Sequence, residues 1–404
     1  MNVLLLTSEF YPNSLGIGTY ATELARNMTD DVTIHVVTPK RTHFGSTRIN
    51  GDKALEKLPK NVCIHYLGTA RDTFMHYFYF QLACRRCVPS FVKKHDIDII
   101  HSQNTMPDLF LSPKRLQVPI LTTIHTIEDE RLPAVRRAAV CSGIRLSKLE
   151  RSEKMSVFLG SSLYAAGNAY YTNSRHYIAV SHWTKDQVLR HQSVDAQRVQ
   201  VIYNGVDHGI FTPHNGHLAD EHFPGLVDIE NPKILFLSRV TASKGAYMLM
   251  KAIPRILHEV DAHFIFAGPG GKLLGSNNQN SITELGYVDH YITPSLYALA
   301  DIFILPSFYE NFPLSLLEAM ASGRAVIASN VGGIPEAIEH RHNGFLIQAG
   351  SIEDIVYATK TLIRDDRLRS TLGHNARLTV EDRFDWGQVV ARVLDYYECV
   401  VNEN

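Results

Sequence analysis

The feature of this sequence that most restricts its fold is a regular alternation of short apolar runs with helical segments. An apolar run at Val3–Thr7 is followed by helical periodicity over Thr19–Met28 and by a second apolar run at Val32–Val37. Three more apolar runs follow, at Ile97–His101, Ile120–Ile124 and Tyr177–Val180. Strands that are apolar throughout are buried on both faces, so this rhythm predicts a parallel sheet covered by helices. Ligands of such sheets bind at the carboxyl ends of the strands.

The alternation begins again in the second half of the chain and predicts a second domain. Its apolar runs are Ile234–Leu237, His263–Ala267, Ile302–Leu305 and Ala325–Ala328. A chain of 404 residues is too long for one ordinary core and suits two. Residues 208–232 contain several prolines and glycines without periodicity, so we expect a linker there. The predicted domains are two doubly wound α/β units at residues 1–207 and 233–385, followed by a closing helix at 386–404.

Gly16-Ile17-Gly18 is the first candidate for a ligand-binding loop. A dinucleotide fingerprint needs its first glycine directly after the strand, whereas eight residues separate Thr7 from Gly16. The second strand also ends Val-Thr-Pro-Lys, without a carboxylate for a ribose. These departures argue against a nicotinamide cofactor. Backbone amides at a helix N-terminus, close to an anion or a sugar, are one interpretation of the motif, and a plain tight turn is the other.

Arg239 and Lys244 lie in a loop, Ser238–Gly245, between a predicted strand and a predicted helix. Both cations are therefore expected at the carboxyl end of a strand. A planar guanidinium and a compact ammonium together suit a diphosphate. An exposed loop with two ordinary surface cations is the competing interpretation.

Another loop follows the strand Ile302–Leu305 and leads from Glu310 to Glu318. Pro313 suits the first position of a helix, which places Glu310 before that helix and Glu318 inside it. The first amides of a helix lack intrahelical partners, so an anion fits there between two carboxylates that can hold hydroxyl groups. Ordinary helix charge for Glu310 and a surface position for Glu318 are the alternative. A third loop, Gly332–Glu336, again places glycines before a helix that starts with proline.

Taken in order, these motifs resemble those of the retaining glycosyltransferases of family four, the glycosyl transferases group 1, which have the GT-B fold. The matching pieces are the Gly16 loop, the Asn204–Asp207 turn with Phe211 and Pro213, the Arg239 and Lys244 loop, Phe266–Gly270, the E-x7-E pattern from Glu310 to Glu318, and Gly332–Glu336. They cover almost the whole chain, and those of the second half are the more specific. The resemblance implies two Rossmann-like domains that face a cleft, with the last helix crossing back to the first domain.

The resemblance also implies roles for particular residues. It implies that Glu310 touches the hydroxyls of the donor sugar and that Glu318 binds the ribose. It implies that Arg239 and Lys244 neutralise the leaving diphosphate. His125 matches a family histidine that faces the sugar, whereas the residues alone favour a strand-end histidine in an ordinary hydrogen bond. The other residues that the resemblance places at the nucleotide sugar are Gly16, Gly18, Asn311, Phe312, Leu314 and Ser315, with Tyr287 and Val288 near the base.

The activity implied is transfer of a hexosyl unit from a nucleotide-diphosphate sugar, such as a UDP- or GDP-hexose, to a saccharide or lipid-linked acceptor. A place in polysaccharide biosynthesis follows from such acceptors. No residue is an obvious covalent nucleophile, so we favour a front-face route with retention of anomeric configuration. A nucleotide-sugar epimerase or a sugar phosphorylase on the same fold is one alternative, and a binding protein with a dead site is another.

Composition excludes some other classes of protein. The formal net charge of −1 gives no electrostatic case for nucleic-acid binding. Asp96-Ile97-Asp98 looks like a D-x-D metal motif, but it begins a strand, at the end away from the ligands; we interpret it as a strand cap and expect no required metal or cofactor. Five scattered cysteines, and no apolar run long enough for a signal peptide or a membrane span, predict a cytoplasmic protein.

Two basic segments leave a peripheral contact with the inner face of the membrane open. Residues 71–94 combine aromatic residues with cations that include Arg85 and Arg86, and residues 131–154 add a second run of arginines and lysines. Both segments fall in the predicted first domain. Aromatic rings at the headgroup boundary and cations beside anionic lipid are typical of an interfacial segment. A pair of core-packed helices with a solvated basic face is the other interpretation.

Overall fold

The structure is a computed structural model, and it describes residues 1–10, 16–41, 43–44, 47–48, 58–70, 74–103, 108–150, 153–158, 170–172, 175–270 and 280–403. The chain divides into two compact units. The first comprises Met1–Ile127, Tyr164–Asn204 and Trp386–Asn404. The second comprises Glu128–Leu163 and Gly205–Asp385.

A parallel sheet of seven strands, counted over the described residues, forms the centre of the first unit. In order across the sheet they are β5 (Val62–Ala70), β2 (Thr33–Arg41), β1 (Asn2–Leu6), β6 (Ile99–Gln103), β7 (Ile120–Ile124), β8 (His176–Ala179) and β9 (Val199–Val201). A short antiparallel pair, β3 (His43–Phe44) and β4 (Thr47–Arg48), forms a separate sheet. The strand order reverses direction between β1 and β6, and ligands of such sheets bind at the carboxyl ends beside this point.

The second unit contains a parallel sheet of six strands among the residues described. Across the sheet they are β12 (Ile282–Gly286), β11 (His263–Ala267), β10 (Lys233–Leu237), β13 (Ile302–Leu305), β14 (Ala325–Ser329) and β15 (Phe345–Ile347). The four strands predicted for this half are confirmed to within one residue at each end. Here the order reverses between β10 and β13, so the loops that follow these two strands are the expected ligand position.

Helices cover both sheets. The helices are α1 (Ile17–Arg26), α2 (Phe74–Lys94), α3 (Pro113–Leu116), α4 (Glu128–Ser142), α5 (His182–His191), α6 (Ala219–His222), α7 (Pro224–Val227), α8 (Ala246–Leu257), α9 (Thr293–Leu299), α10 (Leu314–Ala321), α11 (Ile334–Ala337), α12 (Ile352–Arg364), α13 (Asp366–Arg383) and α14 (Trp386–Asn402), with 3-10 turns at Leu146–Lys148, Ala196–Arg198 and Pro213–Leu218. Helix α2 shows how they pack. It buries every fourth residue from Phe80 to Val92 against the first sheet, because positions four apart share one face of a helix.

The sequence-based domain boundary is wrong for residues 128–163. That segment lies between β7 and β8 of the first sheet in chain order, and chain order predicts that it belongs to the first domain. In the structure, α4 instead packs Val135, Ala138 and Ala139 into the core of the second unit, together with Ala246 and other buried residues. The basic segment at residues 131–154 therefore belongs to the second unit. The placement of α4 therefore follows from its buried apolar residues and does not follow from chain order.

Candidate active site

The loop after β10 is fixed by close contacts with the loop after β13. Gly245 precedes α8 with a φ of 74°, and a Cβ added there would lie 1.9 Å from the carbonyl oxygen of Pro306. Glycine is required both by this backbone conformation and by this approach. The amide of Phe308 also donates to the carbonyl of Ser243 at 2.7 Å. The loop that carries the two predicted cations is therefore held against the β13 loop.

A buried carboxylate that the sequence analysis missed binds the same loop. Glu153 is 1% exposed, and its two oxygens accept hydrogen bonds from the amides of Ser243 at 2.8 Å and Ala242 at 3.4 Å. Glu153 lies in an ordinary basic stretch of the sequence, where no motif indicates a partner 90 residues away. It holds in place the turn from which Lys244 projects.

Glu310 and Lys244 meet where the loops after β10 and β13 adjoin. Lys244 Nζ lies 2.7 Å from Glu310 Oε1, and the same oxygen accepts a hydrogen bond from Ser307 Oγ at 2.8 Å. The Glu310 side chain is 7% exposed and that of Lys244 is 21% exposed. This shielding makes the attraction stronger than in a surface ion pair. Arg239 is half-buried at the start of the same loop, so neither cation is an ordinary exposed surface residue.

The loop after β14 completes the arrangement with two glycines. Gly332 has a φ of 57°, and a Cβ added there would lie 1.6 Å from the carbonyl oxygen of Glu310. The amide of Gly333 donates to the carbonyl of Asn311 at 2.8 Å. The glycines of the Gly332–Glu336 motif therefore allow backbone to pack on backbone. Three loops, from the carboxyl ends of β10, β13 and β14, converge around Glu310.

Asn311 is a buried polar side chain in this convergence. It is 5% exposed, and among the described residues neither polar atom of its amide has a hydrogen-bond partner. Buried amides are nearly always satisfied, so this one is expected to meet a ligand or a water molecule.

Helix α10 begins just afterwards at Leu314, and Leu316 donates to the carbonyl of Pro313 at 3.2 Å as the helical bonds start. The amides of Leu314 and Ser315 thus lie in the first turn, where helices bind anions.

Glu318 lies in α10 and is held by two side chains from the preceding elements. Its Oε1 lies 2.9 Å from His290 Nε2, and its Oε2 accepts a hydrogen bond from the Tyr297 hydroxyl at 2.8 Å. Burial, reinforced by the Glu318 carboxylate, raises the pKa of Tyr297 well above its usual value, so this hydroxyl stays a donor. Glu318 is 6% exposed, so the surface position considered for it is wrong. His290 was not identified by any motif.

The backbone positions near Glu318 include three more predicted site residues, Phe312, Tyr287 and Val288. The Phe312 ring packs on Phe384, with ring centroids 5.3 Å apart, so its side chain belongs to the core of the unit. Tyr287 and Val288 follow β12 directly and are half-buried. Two residues later, His290 contacts Glu318. The structure therefore brings the predicted base-binding segment into the same loop cluster as the predicted ribose ligand.

In the first unit, His125 lies directly after β7 and is half-buried among its neighbours. Its Nε2 lies 2.9 Å from Oε1 of Gln103 at the end of β6. Its ring meets the Tyr20 ring edge-on, with centroids 4.8 Å apart. Burial lowers the pKa of His125 to about 3, so the imidazole is neutral at neutral pH.

Gly16 and Gly18 lie at the start of α1. Gly16 precedes the helix with a φ of 32°, and a Cβ added there would have no described atom within 4 Å. The positive φ is therefore the reason that this position favours glycine, since the described atoms leave room for a Cβ. The carbonyl of Gly18 accepts a hydrogen bond from the Thr22 hydroxyl at 2.8 Å. Residues 11–15, between β1 and this helix, lie outside the described residues.

The D-x-D sequence forms a strand cap, as predicted. Asp98 Oδ2 accepts a hydrogen bond from the amide of Asn2 at 2.7 Å, and the Asn2 side chain donates to the carbonyl of Asp96 at 3.1 Å. These bonds join the amino ends of β1 and β6, at the opposite edge of the sheet from His125. Within the described residues, no group of three or more histidine, cysteine, aspartate or glutamate side chains has the geometry of a metal site.

These loops lie within regions of the chain that match known protein families. The family profile described as Glycosyltransferase Family 4 matches residues 15–209, and the one described as Glycosyl transferases group 1 matches residues 231–365. The chain belongs to the family-four glycosyltransferases. Glu310, Glu318, Arg239 and Lys244 all fall in the second match.

Curated relatives are similar over different spans. An uncharacterized glycosyltransferase of Methanocaldococcus jannaschii is 29% identical over 55% of this chain, an alignment that spans 60% of that relative. The N-acetyl-alpha-D-glucosaminyl L-malate synthase of Bacillus anthracis is 24% identical over 98% of this chain and 96% of its own length.

Solved structures of related fold cover the whole chain. Sucrose-phosphate synthase from Thermosynechococcus elongatus superposes with a TM-score of 0.78 at 18% identity and covers 100% of both chains. The structure of Anabaena HepE in complex with UDP-glucose gives a TM-score of 0.69 at 20% identity and covers 98% of this chain and 100% of its own. These likenesses establish the GT-B fold.

Across the described part of the chain, no helix combines enough length with enough hydropathy to cross a membrane.

Proposed function

We propose that this protein is a retaining glycosyltransferase that moves a hexosyl unit from a nucleoside-diphosphate sugar to a saccharide or lipid-linked acceptor. The observation that carries the proposal is the shielded pair of Lys244 and Glu310, 2.7 Å apart, where three strand-end loops converge. A cation for the leaving diphosphate and a carboxylate for the sugar hydroxyls lie side by side there. Family membership and the UDP-glucose complex of Anabaena HepE support a nucleotide-sugar donor.

The charges that develop in the transition state indicate the role of each residue in the site. Breaking the anomeric C–O bond builds positive charge on the sugar and negative charge on the diphosphate. Arg239, Lys244 and the first amides of α10 stabilise the diphosphate, and they are fixed before the substrate binds. Asn311, whose buried amide has no partner in the described chain, donates to or accepts from the same ligand.

The contacts of Glu310 bear on the route by which the anomeric configuration would be retained. Its Oε1 already accepts from both Lys244 and Ser307, which lowers its reactivity as a nucleophile. We therefore favour a front-face route, in which an oxygen of the leaving phosphate takes the proton of the acceptor hydroxyl as the new bond forms on the same face of the sugar. Glu310 then holds hydroxyls of the donor sugar.

The direct test is turnover of a panel of UDP-, GDP- and ADP-hexoses, with thermal shift to find the donor. A donor at a hundred times its dissociation constant stabilises the fold by about 2.7 kcal/mol. We expect slow hydrolysis of one donor without acceptor, faster transfer with acceptor, and a product of unchanged anomeric configuration by NMR. A product of inverted configuration would contradict retention. Strict dependence on inorganic phosphate would indicate a phosphorylase, and no turnover of any bound donor would indicate a dead site.

Glu318→Ala is expected to raise the KM for the donor about tenfold and to change kcat little. A ribose contact is similar in the ground and transition states, and a hydrogen bond to a carboxylate contributes about 1.5–3 kcal/mol. Initial rates over a range of donor concentrations measure both constants. Glu310→Ala is the comparison, because it acts on the sugar and lowers mainly kcat. The reverse pattern for the two variants would mean that their roles are exchanged.

Activity is expected to persist in excess chelator. Arg239 and Lys244 supply the positive charge that a metal ion brings to the diphosphate in other enzymes. Transfer rates are compared with and without a chelator after exhaustive dialysis. Activity that is lost in chelator and restored by magnesium or manganese would contradict this expectation.

The acceptor is either a free saccharide or a lipid-linked one, and helix α2 allows the two to be separated. Its buried stripe packs in the core, which leaves Phe78 and Tyr79 46% and 61% exposed on the same helix as the exposed Arg85 and Arg86. Exposed rings and cations suit the surface of an anionic membrane. Pelleting with anionic vesicles at low salt, lost in Arg85→Glu with Arg86→Glu, supports the lipid-linked acceptor. Retention in the supernatant supports the soluble one.

We also place the protein in the cytoplasm. All five cysteines are free thiols, and three of them, Cys87, Cys141 and Cys399, are exposed. Exposed thiols persist in a reducing compartment.

A further inference from the structure

A chain of buried polar side chains joins His125 to the last helix within the first unit. His125 Nε2 lies 2.9 Å from Gln103 Oε1, and Gln103 Nε2 lies 3.1 Å from His101 Nε2. His101 Nδ1 in turn contacts the hydroxyl of Tyr397 on α14 at 2.5 Å. His101 and Gln103 are fully buried, as is Tyr397. Polar groups at such depth are held by the bonds they make with one another.

The direction of each bond follows from the orientation of the Gln103 amide, whose nitrogen faces His101 and whose oxygen faces His125. The amide nitrogen of Gln103 can only donate, so His101 Nε2 must accept and carries no proton. The proton of His101 is then on Nδ1 and is donated to the Tyr397 hydroxyl. The amide oxygen of Gln103 can only accept, so Nε2 of His125 must be the protonated nitrogen. Thr123 Oγ1 lies 2.7 Å from the same nitrogen, so in this arrangement its hydroxyl and the Gln103 amide share the single lone pair of His101 Nε2.

Both histidines are neutral, so each carries one proton. Burial lowers the pKa of His101 to about 3, and the neighbouring His125 contributes to the decrease. Burial alone lowers the pKa of His125 to about 3. With its single proton on Nε2, the His125 ring has its lone pair on Nδ1.

We infer that Tyr397, through His101 and Gln103, fixes the tautomer of His125 so that this residue presents Nδ1 as a hydrogen-bond acceptor for a hydroxyl of the sugar substrate. The inference rests on the proposed function, since His125 meets the sugar only if the protein is a sugar transferase. Tyr397, His101 and Gln103 are positioning residues, because they act through His125. The partner of one imidazole nitrogen commonly sets the tautomer of a functional histidine in this way.

Tyr397→Phe is the variant that tests this series of hydrogen bonds. It removes the acceptor of the His101 Nδ1 proton while keeping the ring that meets His101 edge-on, with centroids 5.5 Å apart. A buried N–H without a partner is costly, so the His101 proton moves to Nε2. The Gln103 amide must then turn its oxygen toward His101 and its nitrogen toward His125. His125 Nε2 becomes an acceptor, and its own proton moves to Nδ1.

The first measurement is made on the free protein by NMR with ¹⁵N-labelled histidine. Long-range ¹H–¹⁵N correlations distinguish a protonated from an unprotonated ring nitrogen, and His125→Gln assigns the signals. We expect the Nε2–H tautomer of His125 in the wild type and the Nδ1–H tautomer in Tyr397→Phe. Tyr396→Phe is the matched control, because the neighbouring hydroxyl donates to the carbonyl of Arg198 at 3.2 Å, outside the chain of bonds. An Nδ1–H tautomer in the wild type, or no change in Tyr397→Phe, overturns the inference.

The second measurement is the transfer rate. Tyr397→Phe is expected to lower kcat/KM for the donor about tenfold, which is the contribution of about one hydrogen bond, and Tyr396→Phe to leave it unchanged. A shifted tautomer with unchanged kcat/KM overturns the link to the sugar. Because the tautomer is observed without substrate, it is decided even if no nucleotide sugar is turned over, and that outcome would count against the proposed function alone.

Discussion

Lys244→Ala is expected to lower kcat by at least about a hundredfold, and Arg239→Ala by a similar factor, with smaller changes in the KM for the donor. Both cations lie in the loop after β10, where they are fixed before the diphosphate begins to leave. Removing one preorganised contact of this kind commonly costs about a hundredfold to a thousandfold in kcat. A loss confined to kcat shows that the contact forms mainly in the transition state. Steady-state transfer rates at saturating acceptor measure both constants.

Lys251→Ala is the matched control for this result. Lys251 is an exposed lysine on α8, the helix that the loop enters, and its ammonium donates to the carbonyl of Cys141 at 3.1 Å. Its removal changes the net charge as Lys244→Ala does but leaves the Glu310 contact intact, so kcat should stay near the wild-type value. A double variant of Arg239 and Lys244 with full turnover would contradict the assignment of both cations to the diphosphate.

Nine of the thirteen described strands in the two sheets could be predicted because they are short, largely apolar runs, whereas β5, β9, β12 and β15 were missed because they contain polar positions or are very short. β7, β11 and β13 have the predicted bounds, because apolar residues dominate each of them and every residue in them is buried. β6 is displaced by two residues, from Ile97–His101 to Ile99–Gln103, because its polar end is buried too. His101 and Gln103 are satisfied by side chains distant in sequence, and a hydropathy pattern contains no signal for that.

The candidate site could be predicted in part for a similar reason. Placement at strand ends brought Arg239, Lys244 and Glu310 to one edge of a sheet, and the structure adds the contact between the last two. Glu153 and His290 could not be predicted, because each has a role only through a tertiary contact with a loop elsewhere in the chain. Glu153 binds backbone amides and His290 binds a carboxylate. Neither contact requires a particular neighbouring sequence, so no motif marks these residues.

The domain boundary failed at residues 128–163 because chain order is a weak guide when a segment leaves one sheet and returns to it. The cations of this segment favour a solvated or interfacial surface when only the sequence is considered. The residues that decided its position were the small apolar ones, Val135, Ala138 and Ala139, which pack in the core of the second unit. Exposed cations on the outer face of such a helix are compatible with either unit.

Asp108→Ala is expected to lower the free energy of unfolding of the first unit by about 3–5 kcal/mol. Asp108 is fully buried and forms an ion pair with Arg175, which is 5% exposed. Its carboxylate also accepts hydrogen bonds from Ser102 Oγ at 2.7 Å and from the Tyr170 hydroxyl at 2.9 and 3.0 Å. Removing one partner of a buried ion pair leaves the other charge uncompensated, and that loss has the stated magnitude. Urea unfolding followed by circular dichroism measures it.

Two further variants separate the unpaired charge from the lost contacts. Glu353→Ala breaks the exposed ion pair between Glu353 and Arg255, and the urea midpoint should stay near the wild-type value because exposed ion pairs contribute little to stability. Asp108→Leu combined with Arg175→Met removes both buried charges and should recover much of the loss, because an apolar pair of similar volume often replaces a buried ion pair without cost. If Asp108→Ala alone unfolds at the wild-type urea concentration, the buried pair contributes nothing to stability. If the double variant is no more stable than Asp108→Ala, the loss comes from the hydrogen bonds of Ser102 and Tyr170, and the uncompensated Arg175 charge is not its cause.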